Sequence, residues 1–86
     1  MSNKQQRMLA DLFHEPVSGN IHWRDIEHLL TALGVRMDEH GGAGVHVYLN
    51  GRDTVIHRPH HSTVMDKREI RALRQFLAAA GVAPSA

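Results

Sequence analysis

Apolar residues in the first third of the chain repeat at helical spacing. Over residues 3–13 they fall on one side of a short amphipathic helix, which Pro16 and the Ser18-Gly19-Asn20 run bring to an end. A second helix is predicted over residues 22–33, and Gly34 follows it where a helix favours a left-handed terminal residue. The apolar stripe of this second helix consists of Trp23, Ile26, Leu29, Leu30 and Leu33.

An alternating pattern then predicts three strands, over residues 35–40, 45–50 and 53–58. The Asn50-Gly51 pair between the last two is a strong signal for a tight antiparallel hairpin. In such a hairpin, odd residues of one strand share a face with even residues of the other. The predicted core face therefore carries Val45, Val47, Leu49, Thr54 and Ile56, and the opposite face carries His46, Tyr48, Val55 and His57.

A third helix is predicted over residues 67–80, with Asp66 and Glu69 as a capping pair at its start. The order helix, helix, three strands, helix indicates a single α+β domain over residues 1–86, in which helices cover one face of a three-stranded antiparallel sheet. We expect the core to contain Trp23, Ile26, Leu30, Val47, Leu49, Ile56, Ile70, Leu73 and Leu77.

Composition narrows the classes of function. The chain has 86 residues, and a domain of this size buries only roughly 60% of its unfolded surface, which favours an open site over an enclosed cavity. The absence of cysteine excludes disulfides, thiolate nucleophiles and cysteine-bound zinc. No segment approaches the ~20 apolar residues that span a bilayer, so we expect a cytoplasmic protein without membrane contact.

Positive charge is concentrated late in the chain, although the formal net charge is only +1. Six basic residues and three acidic ones fall between Arg52 and Arg74. Lys67, Arg71 and Arg74 are spaced to form one stripe of the third helix. Together with Arg58, this stripe is a candidate for binding RNA phosphates, and the alternative is a solvated face that keeps a small protein soluble.

Two of the eight histidines, His46 and His57, are predicted on the face opposite the core, either paired or one diagonal apart. A general base and acid suffice to cleave RNA without metal, because the 2′-hydroxyl of RNA is the nucleophile. His46 is the candidate catalytic residue, with His57 and Tyr48 as candidate helpers. The alternative is that these are ordinary solvent-facing strand residues. The remaining histidines before the hairpin, namely His14, His22, His28 and His40, are unassigned.

The loop after the third strand holds His57, His60 and His61, whose imidazoles suggest metal ligation as another hypothesis. The cluster lacks the distant matched ligands of strong zinc motifs. We therefore expect no metal and no cofactor.

Over residues 21–82 the sequence resembles the HicA toxin family of toxin–antitoxin pairs. The resemblance lies in the helix that begins at Trp23, the Gly44-Val45-His46 motif, the basic loop with Pro59, and the last helix followed by Ala80-Gly81-Val82. It implies an α-β-β-β-α core like that of double-stranded-RNA-binding domains, mRNA cleavage, a catalytic histidine at His46 and a HicB-type antitoxin. Val45 replaces the serine usual in the family, and residues 1–20 are an extension.

Two other functions remain open on the residues alone. The first is an RNA-binding module in which His46 and Tyr48 only contact the nucleic acid. The second is an interaction protein whose exposed sheet face binds a partner chain. The oligomeric state is not predicted.

Overall fold

The structure is a computed structural model that describes residues 1–39, 41–60 and 62–84. Its helices are α1 (Asn3–Leu12), α2 (Trp23–Ala32) and α3 (Lys67–Ala79), and its strands are β1 (Arg36–Glu39), β2 (Gly44–Leu49) and β3 (Arg52–His57). The strands form one antiparallel sheet in the order β1-β2-β3. The predicted α+β fold and element order are confirmed. His40, predicted to end the first strand, and His61 of the predicted loop cluster lie outside the described residues.

The β2–β3 turn determines which side chains share a face of the sheet. Asn50 and Gly51 have φ values of 52° and 78°, the pair of positive values that a type I′ hairpin turn requires. The resulting register pairs Val45 with Ile56, as the parity argument predicts. The side-chain amide of Asn50 also donates a hydrogen bond of 2.7 Å to the carbonyl oxygen of Ala80, which fastens the hairpin to the end of α3.

The hydrophobic core lies between one face of the sheet and the helices. Val45, Val47 and Ile56 of the sheet are fully buried there. Five of the predicted core residues of α2 and α3 are buried as well, namely Ile26, Leu30, Ile70, Leu73 and Leu77. Trp23 and Leu49 are only partly buried, at the edge of the core. The N-terminal extension belongs to the same core, since it contributes Leu9, Leu12 and Val17.

Side chains cap the start of α1 and of α3, whereas His22 at the start of α2 forms no side-chain cap hydrogen bond. Ser2 and Gln5 form a reciprocal capping box at the start of α1, and the Asp66 carboxylate accepts the Arg68 backbone N–H at the start of α3. Glu69 does not complete the predicted capping pair, because its carboxylate instead accepts the backbone N–H of His57 at 2.7 Å. Within the described residues, no helix is long and apolar enough to cross a membrane.

Candidate functional site on the open face of the sheet

Among the described residues, no helix covers the face of the sheet opposite the core, and we call this face the open face. The strand registers place Asp38 and Val55 on either side of His46, and Arg36 and Asp53 on either side of Tyr48. Val55 is 47% exposed, unlike the buried apolar residues of the covered face. The open face therefore presents a mixed group of charged, aromatic and apolar side chains to solvent: Arg36, Asp38, His46, Tyr48, Asp53 and Val55.

The shortest contact of the open face joins His46 to Asp53. Nε2 of His46 lies 2.6 Å from Oδ2 of Asp53, and the two side chains are 31% and 55% exposed. An ionised carboxylate only accepts hydrogen bonds, so Nε2 must carry a proton and donate it. This leaves Nδ1 as the nitrogen of His46 that can take up a proton in the neutral ring. An imidazole held by a carboxylate is the arrangement of a general base with an orienting partner.

Tyr48 and Arg36 extend this pair into a stacked column. The rings of His46 and Tyr48 are 4.2 Å apart between centroids with an interplanar angle of 20°, and the Arg36 guanidinium lies 4.8 Å from the Tyr48 centroid. Arg36 also forms an ion pair of 2.8 Å with Asp38. The hydrogen bond to Asp38, followed by its Coulombic attraction, raises the pKa of Arg36 above its ordinary value. The Tyr48 ring therefore packs against the imidazole of His46, and the Arg36 guanidinium lies over the Tyr48 ring.

His57 is one diagonal away from His46 in the register but is bound elsewhere. Its cross-strand partner is Gly44, whereas His46 pairs with Val55. The Glu69 carboxylate of α3 accepts both the backbone N–H of His57 and, at 3.3 Å, its ring Nδ1. Of the two predicted helpers, the structure thus brings Tyr48 against His46 and ties His57 to α3.

Arg58, the predicted phosphate ligand of the loop, lies near the covered side of the sheet. Its backbone N–H continues the β2–β3 pairing at Ala43, so alternation gives its side chain the same side as Ile56. The guanidinium forms an ion pair of 3.2 Å with Glu39 and also donates to the carbonyl oxygen of Gly42. Arg58 therefore braces the turn between β1 and β2.

The basic stripe of α3 is also remote from His46, because α3 packs against the covered side of the sheet. Arg74 is largely buried and forms an ion pair of 2.6 Å with Glu15, while it also donates to the carbonyl oxygen of His14. Lys67 and Arg71 are exposed. Arg74 thus holds the segment between α1 and α2, and Lys67 and Arg71 are the stripe residues exposed to a ligand.

A groove of about 670 Å³ lies away from the open face, between the start of α2 and the β3–α3 connection. Its lining includes Trp23, Asp25 and His22, whose Nδ1 is 2.9 Å from Oγ1 of Thr63.

Within residues 1–39, 41–60 and 62–84, no three histidine or carboxylate side chains converge as metal ligands do.

The formal charge of the open face is not basic, because Asp38 and Asp53 outnumber Arg36 among the ionised groups when His46 is neutral. The open face therefore offers an anionic ligand little attraction through its net charge. No protein-family profile, curated protein or solved structure matches the chain.

Asp53 and Arg36 belong to this site but are not among the site residues predicted from the sequence. Asp53 could have been predicted from the sequence, because odd-numbered residues of β3 lie on the same face of the sheet as His46. Arg36 required the β1–β2 register, and the glycine-rich segment before β2 leaves that register undefined at the level of sequence.

Proposed function

We propose that this chain is a metal-independent endoribonuclease and the toxin of a type II toxin–antitoxin pair of the HicA kind, with a core like that of double-stranded-RNA-binding domains. The observation that carries the proposal is the hydrogen bond of 2.6 Å from His46 to Asp53 on an uncovered sheet face. A polymer can lie across such a face, and the carboxylate keeps one ring nitrogen protonated and the other free to accept a proton.

In the proposed reaction, Nδ1 of His46 removes the proton of a 2′-hydroxyl. The 2′-oxygen forms a bond to the adjacent phosphorus as the bond from phosphorus to the 5′-oxygen breaks, giving a 2′,3′-cyclic phosphate. The departing 5′-oxygen receives a proton from the Tyr48 hydroxyl or from water. Histidine suits the role of base, since its charge changes between about pH 5 and 8. DNA lacks the 2′-hydroxyl and is not a substrate.

The test compares the native chain with His46→Ala on a single-stranded RNA in the presence of a chelator. Loss of a general base typically costs ~10²–10⁴ in rate, so the variant should leave the RNA intact over the time in which the native chain consumes it. His28→Ala is a matched control, because His28 is an exposed histidine of α2 away from the open face. Equal cleavage by the native and His46→Ala chains would remove His46 from the mechanism.

A second function, RNA binding without cleavage, is favoured by a specific observation. The exposed cations of the predicted stripe, Lys67 and Arg71, lie on the helical side of the fold, while the open face carries two carboxylates. Retained RNA binding by the native chain, with no cleavage over the pH range in which histidine titrates, would support this alternative.

The toxin proposal includes an antitoxin partner that covers His46. A nuclease that acts on cellular mRNA must be held inactive, and the exposed Val55 beside His46 offers an apolar contact for a covering chain. Coexpression with the product of a neighbouring small reading frame should give a stable complex with His46 protected. A complex that leaves His46 open to solvent would refute inhibition by direct cover.

A further inference from the structure

We propose that Arg36 binds the scissile phosphate of the RNA, through the edge of its guanidinium that Asp38 leaves unoccupied. This role rests on the proposed RNA substrate, and it gives the mechanism a cation close to His46. In the proposed reaction the 2′-oxygen adds to phosphorus, so negative charge grows on the two non-bridging oxygens of that phosphate. A guanidinium can bind two such oxygens with two parallel hydrogen bonds.

The basic residues predicted from the sequence to bind phosphate do not lie beside His46. Arg58 and Arg74 are held in ion pairs elsewhere, and the rest of the basic stripe belongs to α3, which packs against the covered side of the sheet. Arg36 pairs with Tyr48 in the register of β1 and β2, which places it on the open face. Among the described residues of the three strands, it is the one lysine or arginine on that face.

The guanidinium of Arg36 keeps hydrogen-bond donors for a ligand. Nε lies 3.4 Å from Oδ1 of Asp38 and Nη2 lies 2.8 Å from Oδ2, so the carboxylate occupies one edge of the planar group. Nη1 has no hydrogen-bond partner within the described residues, and the Arg36 side chain is 71% exposed. The edge formed by Nη1 and Nη2 can therefore bind a phosphate while the other edge stays on Asp38.

Arg36 is also within reach of a phosphate whose 2′-hydroxyl contacts His46. The imidazole centroid lies 4.2 Å from the centroid of the Tyr48 ring, and Cζ of Arg36 lies 4.8 Å from that same ring centroid. Whatever their directions, the imidazole centroid and Cζ are therefore at most about 9 Å apart, which one nucleotide spans with a hydrogen bond at each end. His46 and Arg36 can thus act on the same phosphodiester, the first on the hydroxyl and the second on the non-bridging oxygens.

Arg36→Gln and Arg36→Lys test this contact, with Arg52→Gln as the matched control. Arg52 is an exposed arginine of β3, but its cross-strand partner Leu49 belongs to the covered face of the sheet. Glutamine removes the charge of Arg36, whereas lysine keeps the charge but cannot form two parallel hydrogen bonds. We expect all three variants to fold as the native chain does, since neither arginine is buried.

The binding probe is a short, fully 2′-O-methylated single strand of RNA, which binds but cannot undergo 2′-hydroxyl attack. Arg36→Gln should weaken binding about 3- to 10-fold and lower the slope of log affinity against log salt by about 0.7, the value for one phosphate contact of a single strand. Arg36→Lys should keep the native slope, because the slope reports the charge that is neutralised. Arg52→Gln should keep both the native affinity and the native slope.

Cleavage of unmodified RNA gives the second readout. Arg36→Gln should lower kcat/KM about 10- to 100-fold, and Arg36→Lys should recover only part of that loss, since the charge on the phosphate grows in the transition state. Sulfur in place of a non-bridging oxygen at the cleaved phosphate accepts hydrogen bonds poorly. It should slow the native chain more than it slows Arg36→Gln. If Arg36 only supported the Tyr48 ring, the sulfur effect would be the same in both chains.

Native affinity and a native salt slope in Arg36→Gln would overturn the phosphate contact, and so would an equal fall of the slope in Arg52→Gln. Failure of the native chain to bind the strand would overturn it as well. The nuclease proposal is judged separately. A salt slope that depends on Arg36, without cleavage of unmodified RNA by the native chain, would keep the contact and refute the nuclease. Cleavage at the native rate by Arg36→Gln would do the reverse.

Discussion

Asp53→Asn removes the negative charge beside His46 while keeping nearly the same side-chain shape. The amide oxygen can still accept the proton on Nε2 of His46, so the substitution tests the charge and not the mere presence of a hydrogen bond. In the proposed reaction His46 becomes positively charged as it takes the 2′-hydroxyl proton. The Asp53 carboxylate therefore contributes more to the transition state than to the ground state, and its loss should lower kcat with little change in KM.

The size of this effect follows from distance and exposure. A hydrogen bond to a charged group contributes about 1.5–3 kcal/mol when shielded from water. Asp53 is 55% exposed, so solvent screening reduces the expected contribution to about 1–2 kcal/mol. That range corresponds to a fall of about 5- to 30-fold in kcat.

The assay is steady-state cleavage of a fluorescent single-stranded RNA, with Asp38→Asn as the matched control. Asp38 is a carboxylate on the same face, but it is bound to Arg36 and not to His46. We expect Asp38→Asn to change kcat less than twofold. Native activity in Asp53→Asn, or an equal loss in both variants, would refute the role assigned to the Asp53 carboxylate.

Three further predictions concern stability and the division of roles. Leu73→Ala and Leu30→Ala should each lower the free energy of unfolding in urea by about 2–5 kcal/mol, because both side chains are fully buried; unchanged midpoints would contradict the core assignment. His57→Ala should retain cleavage activity within about threefold, since its ring is tied to Glu69, and a hundredfold loss would instead indicate a two-histidine site. Arg74→Ala should lower the free energy of unfolding by about 1 kcal/mol, and with it the thermal midpoint, while leaving cleavage intact. Loss of cleavage in a folded Arg74→Ala variant would instead indicate that Arg74 binds RNA.

The fold was predictable because its signals are local and mutually consistent. The Asn50-Gly51 turn fixes the hairpin, and the period of two then assigns Val45 and Ile56 to the core without any knowledge of tertiary structure. The apolar stripes of the predicted helices could then be buried only against the one apolar face of the predicted sheet. Burial of Leu9 in the same core required tertiary information, because a short amphipathic helix does not specify its partner.

The site was predictable only in part, since parity gives the face of a side chain but not its direction. Strand parity predicted His46 and His57 on the same face of the sheet. In the structure His57 instead donates hydrogen bonds to Glu69, which is twelve positions further along the chain. Asp53 is the residue that contacts His46. Charge spacing on α3 likewise predicted a basic stripe without showing that Arg74 pairs with Glu15. Long-range ion pairs of this kind depend on how the helices pack against one another, which no local sequence pattern predicts.

The most direct test of the proposed function is the RNA product formed in chelator by the native chain and by His46→Ala. We expect the native chain to yield fragments ending in a 2′,3′-cyclic phosphate, and His46→Ala, with an unchanged thermal midpoint, to yield none over the same period. Fragments of the same kind produced at the native rate by His46→Ala would contradict the role of His46 as the general base.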